Sequence, residues 1–373
     1  MNDQTTRPES EAAQRVAAAV EAFARGEIVV VADDDDRENE GDLFVAASLC
    51  TPERMAFIIR HTSGIVCAPV ANDAARRLRL DPMVSANDAP LGTAFTVSVD
   101  FRHGLTTGIS AEERTNTVRG LANSNTGAID FVRPGHVFPL IAKEGGVLMR
   151  SGHTEACVDL CQLAKLPPVG VLAELMNDDG TVMRGRTVQA FAAQHNLKYL
   201  SIADLISYRQ SRDKLVERVG EFPVQSEIGE LKGYAYVTPF DPVYHVACVF
   251  GRIGDGRDIP CRLHRANLIN DVFGAARPVH AALQRFKRDG RGVIVFLRDG
   301  TAGVPVTALP REATAASASE EARSRQWREV GLGAQILRDL GVSSIRLLST
   351  ARHRYVGLAG FGIEITDVEP MSL

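Results

Sequence analysis

Residues 28–44, IVVVADDDDRENEGDLF, decide how the first half of the chain folds. Three valines and an isoleucine in a row have the density and length of a buried strand. Positions 33–42 then carry eight formal charges, seven of them acidic. At an effective dielectric near 20, like charges about 6 Å apart repel by about 3 kcal/mol, so a half-buried cluster of this kind needs cations or arginine beside it. A fully solvated loop, screened by water and salt, is the plain alternative. A calcium-binding loop fails on spacing. Starting it at Asp36 puts Gly41 sixth, as required, but Ala47 twelfth, where a bidentate glutamate belongs. What remains beside the solvated loop is a divalent metal held by few carboxylates, with Arg37 facing an anion.

Outward from this strand, helical and strand patterns alternate. An amphipathic helix is predicted over 9–25, with Val16, Val20, Phe23 and Ala24 near one face. In TPERMAFIIRH, Thr51 can cap and Pro52 suits the first helical position. IVCAPV reads as a strand and NDAARRLRL as another capped helix. Ser110 and Glu113 have capping-box spacing. HTEACVDLCQLAKL, VGVLAELM and TVQAFAAQHN continue as helix, strand and helix. The alternation predicts an α/β (α+β) layered architecture to about residue 212, with a mixed sheet and surrounding helices. Beyond it, GYAYVTP, YHVACVFGRIG and RDIPCRLH are successive strands, VHAALQRFKRDG a helix and GVIVFLRDG a strand. Residues 307–325 are rich in Ala, Ser and Thr without periodicity and read as an insertion. The expected division is a first domain over 1–212, a linker over 213–222 and a second domain over 223–373.

The 373 residues suffice for two domains. Net charge is −4, split as −7 up to Glu217 and +3 after it. Neither part is basic enough to predict nucleic acid or an anionic membrane as partner. No apolar run approaches the ~20 residues that cross a bilayer. The six cysteines lie in apolar segments without a CxxC pair, and the N-terminus lacks an apolar leader, so reduced thiols and a cytoplasmic location are expected. Cys157 and Cys161, four apart on one helix, read as core packing, and Cys67 as a structural thiol.

A second stretch bears on the acidic loop. MRSGHTEACVDLCQLA, residues 149–164, puts Arg150, small residues and His153 just before a helix. The free N–H groups and positive dipole there suit a phosphate. Arg150 and Thr154 offer charged and hydroxyl donors, and His153 is a possible metal ligand. The alternative is a capped helix start with a solvated histidine.

Together DDDDRENEGDL and RSGHTEA resemble the 3,4-dihydroxy-2-butanone 4-phosphate synthases of riboflavin biosynthesis. Also similar are IRHTSGIVCAPV, GTAFTVSVD, TTGISAEERTNTVR, RPGHVFPL and GVLAELMNDDGTVMR, in order over about residues 10–212. The resemblance implies a lyase that converts D-ribulose 5-phosphate to L-3,4-dihydroxybutan-2-one 4-phosphate and formate with Mg2+ or Mn2+. It implies Glu38 and His153 as metal ligands and His136 and Glu174 as proton-transfer residues. Arg37, Asp42, Thr107, Arg150, Ser151, Gly152, Thr154 and Glu174 would bind substrate. Ser151 stands where many relatives have glycine. The resemblance also implies a homodimer with sites built partly across its interface. Such chemistry builds negative charge on adjacent oxygens, which a hard dication and tuned acid–base groups stabilise. On this reading the acidic loop is a lid that orders over metal and substrate.

From about residue 218 the chain resembles the GTP cyclohydrolase II fold, an α/β domain. Active relatives hold zinc through one Cys in a Ser-Glu-Cys run and two in a Cys-Asp-Cys run. Here those runs are Arg265-Ala266-Asn267 and Pro278-Val279-His280. Cys261 lies a few residues early. Gln326 stands for a catalytic Asp, Thr350-Ala351-Arg352 for an Asn-Asn-Pro stretch and RDGTAGVPV for a glycine-rich nucleotide segment, while Arg328 remains. Ring opening of guanine needs a metal-activated water. The expectation is a catalytically silent second domain without zinc. A bifunctional enzyme with GTP cyclohydrolase II activity is one alternative, and a non-catalytic module whose acidic loop docks cations or protein is the other.

Overall fold

The computed structural model describes residues 11–33, 38–89, 91–239, 241–274, 277–298, 331–350 and 363–371. The chain divides into two compact units, with Tyr208 in the first and Arg209 in the second, both in the helix α7 (Ile202–Arg212). Residues 34–37, the part of the acidic loop that contains Arg37, lie outside the described residues, as do Gln326, Arg328 and the stretch 307–325.

The first unit is built on a seven-stranded mixed sheet of order β4-β5-β3-β6-β2-β1-β7. Its strands are β1 (Val29–Ala32), β2 (Gly41–Ala46), β3 (Cys67–Val70), β4 (Val99–Phe101), β5 (Phe131–Ile141), β6 (Gly170–Glu174) and β7 (Lys198–Ser201). The apolar run at 28–32 becomes β1, buried throughout, and the acidic segment is the connection to its antiparallel partner β2. Alternation then sorts the side chains. Val30, Leu43, Val45, Val171 and Ala173 enter a core with α2 (Pro52–His61), α3 (Asn72–Leu78), α4 (Ala111–Ala122) and α6 (Arg186–Gln194). Asp42 and Phe44, out of phase with Leu43, belong to the other face. There α5 (His153–Leu163) covers the sheet, with α1 (Glu11–Ala24) alongside it. A Cβ at Gly170 of β6 would collide with Cys157 Sγ of α5, so glycine permits the close approach of that helix.

Several local expectations change. Thr51 caps α2 as its type predicts, accepting the Arg54 N–H. At α3, however, the N-cap is Ala71, without a side-chain cap, and Asn72 is already helical. Ser110 does cap α4, but the Glu113 carboxylate accepts from Thr106 N and Oγ1 and from Ser110 Oγ, so it ties down the preceding loop. Those donors hold its pKa down at about 2.

The second unit also carries a seven-stranded mixed sheet, of order β14-β13-β11-β12-β10-β9-β8. Its strands are β8 (Glu217–Ser226), β9 (Gly229–Thr238), β10 (Asp241–Phe250), β11 (Ile259–Arg265), β12 (Gly292–Leu297), β13 (Ser344–Ser349) and β14 (Glu364–Pro370). The segment read as a linker is already strand from Glu217. Its polarity reflects exposure, since β8 is an edge strand with largely solvated side chains. The helix α9 (Pro278–Asp289) buries Ala282 and Phe286 against Ile228, Leu231, Ile294 and Leu348. The short α8 (Leu268–Phe273) precedes it, and residues 331–339 are helical. No described helix is long and apolar enough to cross a membrane.

Candidate metal and substrate site

The face of the sheet under α5 supplies an unusual set of buried charges. Asp42 of β2 lies opposite Glu174 of β6 in the antiparallel register. His153, the first residue of α5, packs edge-on to Phe44 with ring centroids 6.0 Å apart. This places its Nε2 3.9 Å from Asp42 Oδ1 and its Nδ1 3.4 Å from Glu38 Oε2. The backbone N–H of Glu38 donates to Asp33 Oδ2 at 3.2 Å, so Asp33 fixes the end of the acidic segment that carries Glu38. Among the described residues, one donor group of three or more suits a cation: atoms of Asp33, Glu38 and His153 lie within 4.8 Å of one another.

Burial makes the cluster electrostatically tense. It pushes Asp42 up to about 7, against the lowering effect of His153. Burial alone would pull His153 down, but Asp42, Glu38 and Asp33 outweigh it and raise the imidazole to about 9. Asp42 Oδ1 and His153 Nε2 are buried without a hydrogen-bond partner. Buried polar atoms are almost always paired, so two orphans 3.9 Å apart mark a place for a ligand. An imidazole nitrogen with two or three carboxylate oxygens suits a hard or borderline dication such as Mg2+ or Mn2+.

Around this point is a cavity of about 120 Å³ lined by Glu38, Glu40, Asp42, Arg150, His153, Thr154 and Glu174, with Phe95, Leu140 and Leu172 among its apolar wall residues. Arg150 is oriented by Glu155, whose Oε2 accepts from Nη1 at 2.6 Å, and by Leu91 O and Thr93 Oγ1 on Nη2. Gly152 is needed for that pairing, because a Cβ there would collide with the Arg150 guanidinium and crowd Glu155. Ser151 is buried beside it.

The structure thus gathers Glu38, Asp42, Arg150, His153, Thr154 and Glu174 at one cavity, whereas Thr107, His136, Ser151 and Gly152 are not among its lining residues. Thr107 lies in the loop held by Glu113. His136 is part of the long strand β5, its Nδ1 2.7 Å from Asp100 Oδ2 and its backbone N–H donating to Asp100 Oδ1 at 2.8 Å. Cys67 lines the cavity, and burial pushes its thiol up, which agrees with an unreactive, structural group. Asp33, Glu40 and Asp100 are the groups that sequence reasoning passed over. Asp33 is indistinguishable in type from the three aspartates after it, and Asp100 has no local partner to reveal it.

Residues 17–208 match the family pattern of 3,4-dihydroxy-2-butanone 4-phosphate synthase. The chain belongs to this synthase family. Residues 217–370 match GTP cyclohydrolase II. The synthase chain is 46% identical over 371 residues to a bifunctional riboflavin biosynthesis protein, the chloroplastic RIBA 1 of Arabidopsis thaliana, covering 95% of this chain and 68% of that one. It also resembles a crystal structure of RibBX, described as a two-domain 3,4-dihydroxy-2-butanone 4-phosphate synthase from A. baumannii. That likeness has a TM-score of 0.79 at 35% identity and covers 94% of this chain and 99% of the other. Over 53% of this chain, a crystal structure of 3,4-dihydroxy-2-butanone 4-phosphate synthase in complex with two magnesium ions matches at 44% identity and a TM-score of 0.52, with 97% of that chain covered. The expected two-domain mixed α/β architecture is therefore the architecture found.

Proposed function

We propose that the first unit converts D-ribulose 5-phosphate to L-3,4-dihydroxybutan-2-one 4-phosphate and formate, using Mg2+ or Mn2+ held by Glu38 and His153. The observation that carries the reading is the pair of orphaned buried atoms, His153 Nε2 and Asp42 Oδ1, at a cavity that also presents Glu174 and Arg150. When bound, the cation supplies charge to neutralise oxygen anions as the sugar enolises and rearranges. The protein does the rest. Arg150, Ser151, Gly152 and Thr154 hold the phosphate at the start of α5, where the helix dipole favours an anion. Arg37 and Asp42 fix the sugar hydroxyls, and Thr107 borders the substrate. Glu174 takes the proton from C3 and His136 returns protons during the later steps. Asp100, by accepting from His136 Nδ1, leaves Nε2 as the exchanging nitrogen. Because His136 is not among the residues lining the cavity of its own chain, the reading pairs two copies in a homodimer, each completing the other's site.

The second unit is read as catalytically silent, with no zinc. Support comes from the residue types at the three thiolate positions of active relatives, where this chain has Asn267, Pro278 and His280. Two of these also have local work. Asn267 caps α8, and His280 Nδ1 lies 2.6 Å from Glu227 Oε1. The bifunctional name of the Arabidopsis relative favours the opposite reading for its own chain. One experiment separates them: formate release by the whole chain from ribulose 5-phosphate with Mg2+, and from GTP with added Zn2+. The proposal expects formate from the sugar alone. Formate from GTP with stoichiometric zinc would overturn the silent reading, and no formate from the sugar would overturn the first.

A further inference from the structure

The turn that follows α2 grips Glu174 at two points. The backbone N–H of Ser63 donates to the Glu174 carbonyl at 2.9 Å, and Ser63 Oγ lies 2.7 Å from Glu174 Oε2. The Ser63 hydroxyl donates to the carboxylate oxygen while its own oxygen accepts from Ile65 N–H at 3.2 Å, so both functions of the hydroxyl are used. Residues 61–63 run along the end of β6: Met176 N–H donates to His61 O at 3.2 Å, and Thr62 bridges Leu175. The turn is braced from behind. Arg114, buried in α4, donates from Nη1 to Gly64 O at 3.0 Å, and Gly64 adopts φ +74°, which a side chain would disfavour. Thr62 Oγ1 accepts from Gly64 N and donates to Ile58 O, which locks the turn onto the helix.

We propose that Ser63 is a positioning residue: its hydroxyl, held by the Arg114-braced turn, clamps one oxygen of the Glu174 carboxylate and so fixes the rotamer of the group that faces the substrate. The need is physical. Glu174 lies opposite Asp42 across β2 and β6, so an unrestrained carboxylate would rotate away from a like charge. A hydrogen bond to an ionised carboxylate is among the stronger neutral–charged contacts and costs little rotamer entropy from a short side chain. Without it the base is present but samples unproductive orientations, and proton abstraction is sensitive to such misplacement.

This inference rests on the reading of Glu174 as a proton-transfer residue. The test uses the full chain with Mn2+ and ribulose 5-phosphate, comparing wild type, Ser63→Ala and Ser63→Thr by formate release, with Mn2+ affinity followed by electron paramagnetic resonance. The loss of a hydrogen bond to a charged group predicts a kcat about 10- to 100-fold lower in Ser63→Ala. KM and Mn2+ affinity stay within about twofold, and Ser63→Thr, which keeps the hydroxyl, recovers most of the rate. An alanine variant with wild-type kcat, or a threonine variant as slow as alanine despite wild-type Mn2+ affinity, would overturn the role of Ser63. A wild-type chain that releases no formate from ribulose 5-phosphate would instead overturn the activity on which it rests.

Discussion

Each unit buries a histidine beside an aspartate, and the two pairs are built in opposite ways. In the second unit His264 Nε2 lies 2.9 and 3.0 Å from the two Asp271 oxygens, Nδ1 accepts from Arg262 Nε at 3.3 Å, and Asp271 also takes the Asn267 N–H. Burial lowers the His264 pKa despite Asp271. The pair is closed on itself and serves as a structural knot between β11 and α8. In the first unit His153 Nε2 and Asp42 Oδ1 are 3.9 Å apart, too far for a hydrogen bond, and both lack one. The difference teaches that burial of a charged pair does not by itself mark a functional site. What marks it is burial that the protein leaves incomplete, at a cost it would otherwise avoid by moving the two groups less than an ångström closer.

The largest effect expected from this contrast is at Glu38. Glu38→Gln removes a carboxylate from the open cluster, so formate release should fall by about 10³-fold or more, the ~4 kcal/mol of a lost electrostatic anchor. Mn2+ binding should weaken with it. Asp271→Asn, the matching change in the closed pair, should leave formate release unaltered and lower only the unfolding midpoint. Near-normal turnover for Glu38→Gln at saturating Mg2+ would remove the contrast.

Asp100→Asn comes next. Asp100 is buried and holds both the ring and the backbone N–H of His136, so the variant should keep the fold yet present the imidazole in mixed tautomers. A loss of about 10²-fold in kcat is expected, with Mn2+ affinity unchanged, because His136 stands apart from the cation cluster. Steady-state kinetics beside Mn2+ titration distinguishes this from the Glu38 variant, which should lose both.

The fold and the cluster were legible to different depths. The IVVV run, the alternation that followed it and the capping residues are local signals, so the layered α/β order of the first unit could be read directly. Glu38, Asp42, His153 and Glu174 were legible through motif resemblance, and their meeting depended on register: β2 against β6 for Asp42 and Glu174, and the docking of α5 for His153. Composition could not show that Asp33 joins Glu38, because the pairing depends on the hydrogen bond from Glu38 N–H to Asp33. Nor could it show that Glu113, in capping-box spacing, would spend its carboxylate on the Thr106 loop. Strand β8 was hidden for another reason: an exposed edge strand has little apolar density to betray it.

A pH experiment sharpens the comparison from the side of the second unit. His245 of β10 is buried, its Nδ1 accepting from Arg298 N–H at 3.1 Å while Nε2 has no hydrogen-bond partner. Burial, with Arg298 adding to it, lowers its pKa from 6.5 to about 4. A histidine depressed in the folded state leaves stability intact above the unfolded value. Between that value and about 4 the unfolded chain binds the extra proton, so stability falls as pH falls. At pH 5 the loss is about 2 kcal/mol and it levels off below the folded pKa. Hydrogen exchange in β9, β10 and β12 should show this slope between pH 7 and 5, and His245→Leu should flatten it. An unchanged slope in the variant would assign the acid sensitivity to other groups.

The smallest effect is expected at the rim of the cavity, where the comparison can be made within one site. Glu40 lines the cavity and its Oε1 lies 3.0 Å from Arg184 Nη2, but the Arg184 side chain is 58% exposed. Solvent screens such a pair to less than about 1 kcal/mol, and salt weakens it further. Arg184→Ala should therefore change Mn2+ affinity and kcat by less than about threefold, and that difference should vanish in high salt. Freed from Arg184, Glu40 adds its negative charge to the cluster, so the sign of the low-salt change should be tighter cation binding. Titrating Mn2+ at low and high ionic strength reads both sign and screening. A large, salt-insensitive loss would mean that the ion pair shapes the acidic segment itself, and that exposure is a poor guide to which charges at this site matter.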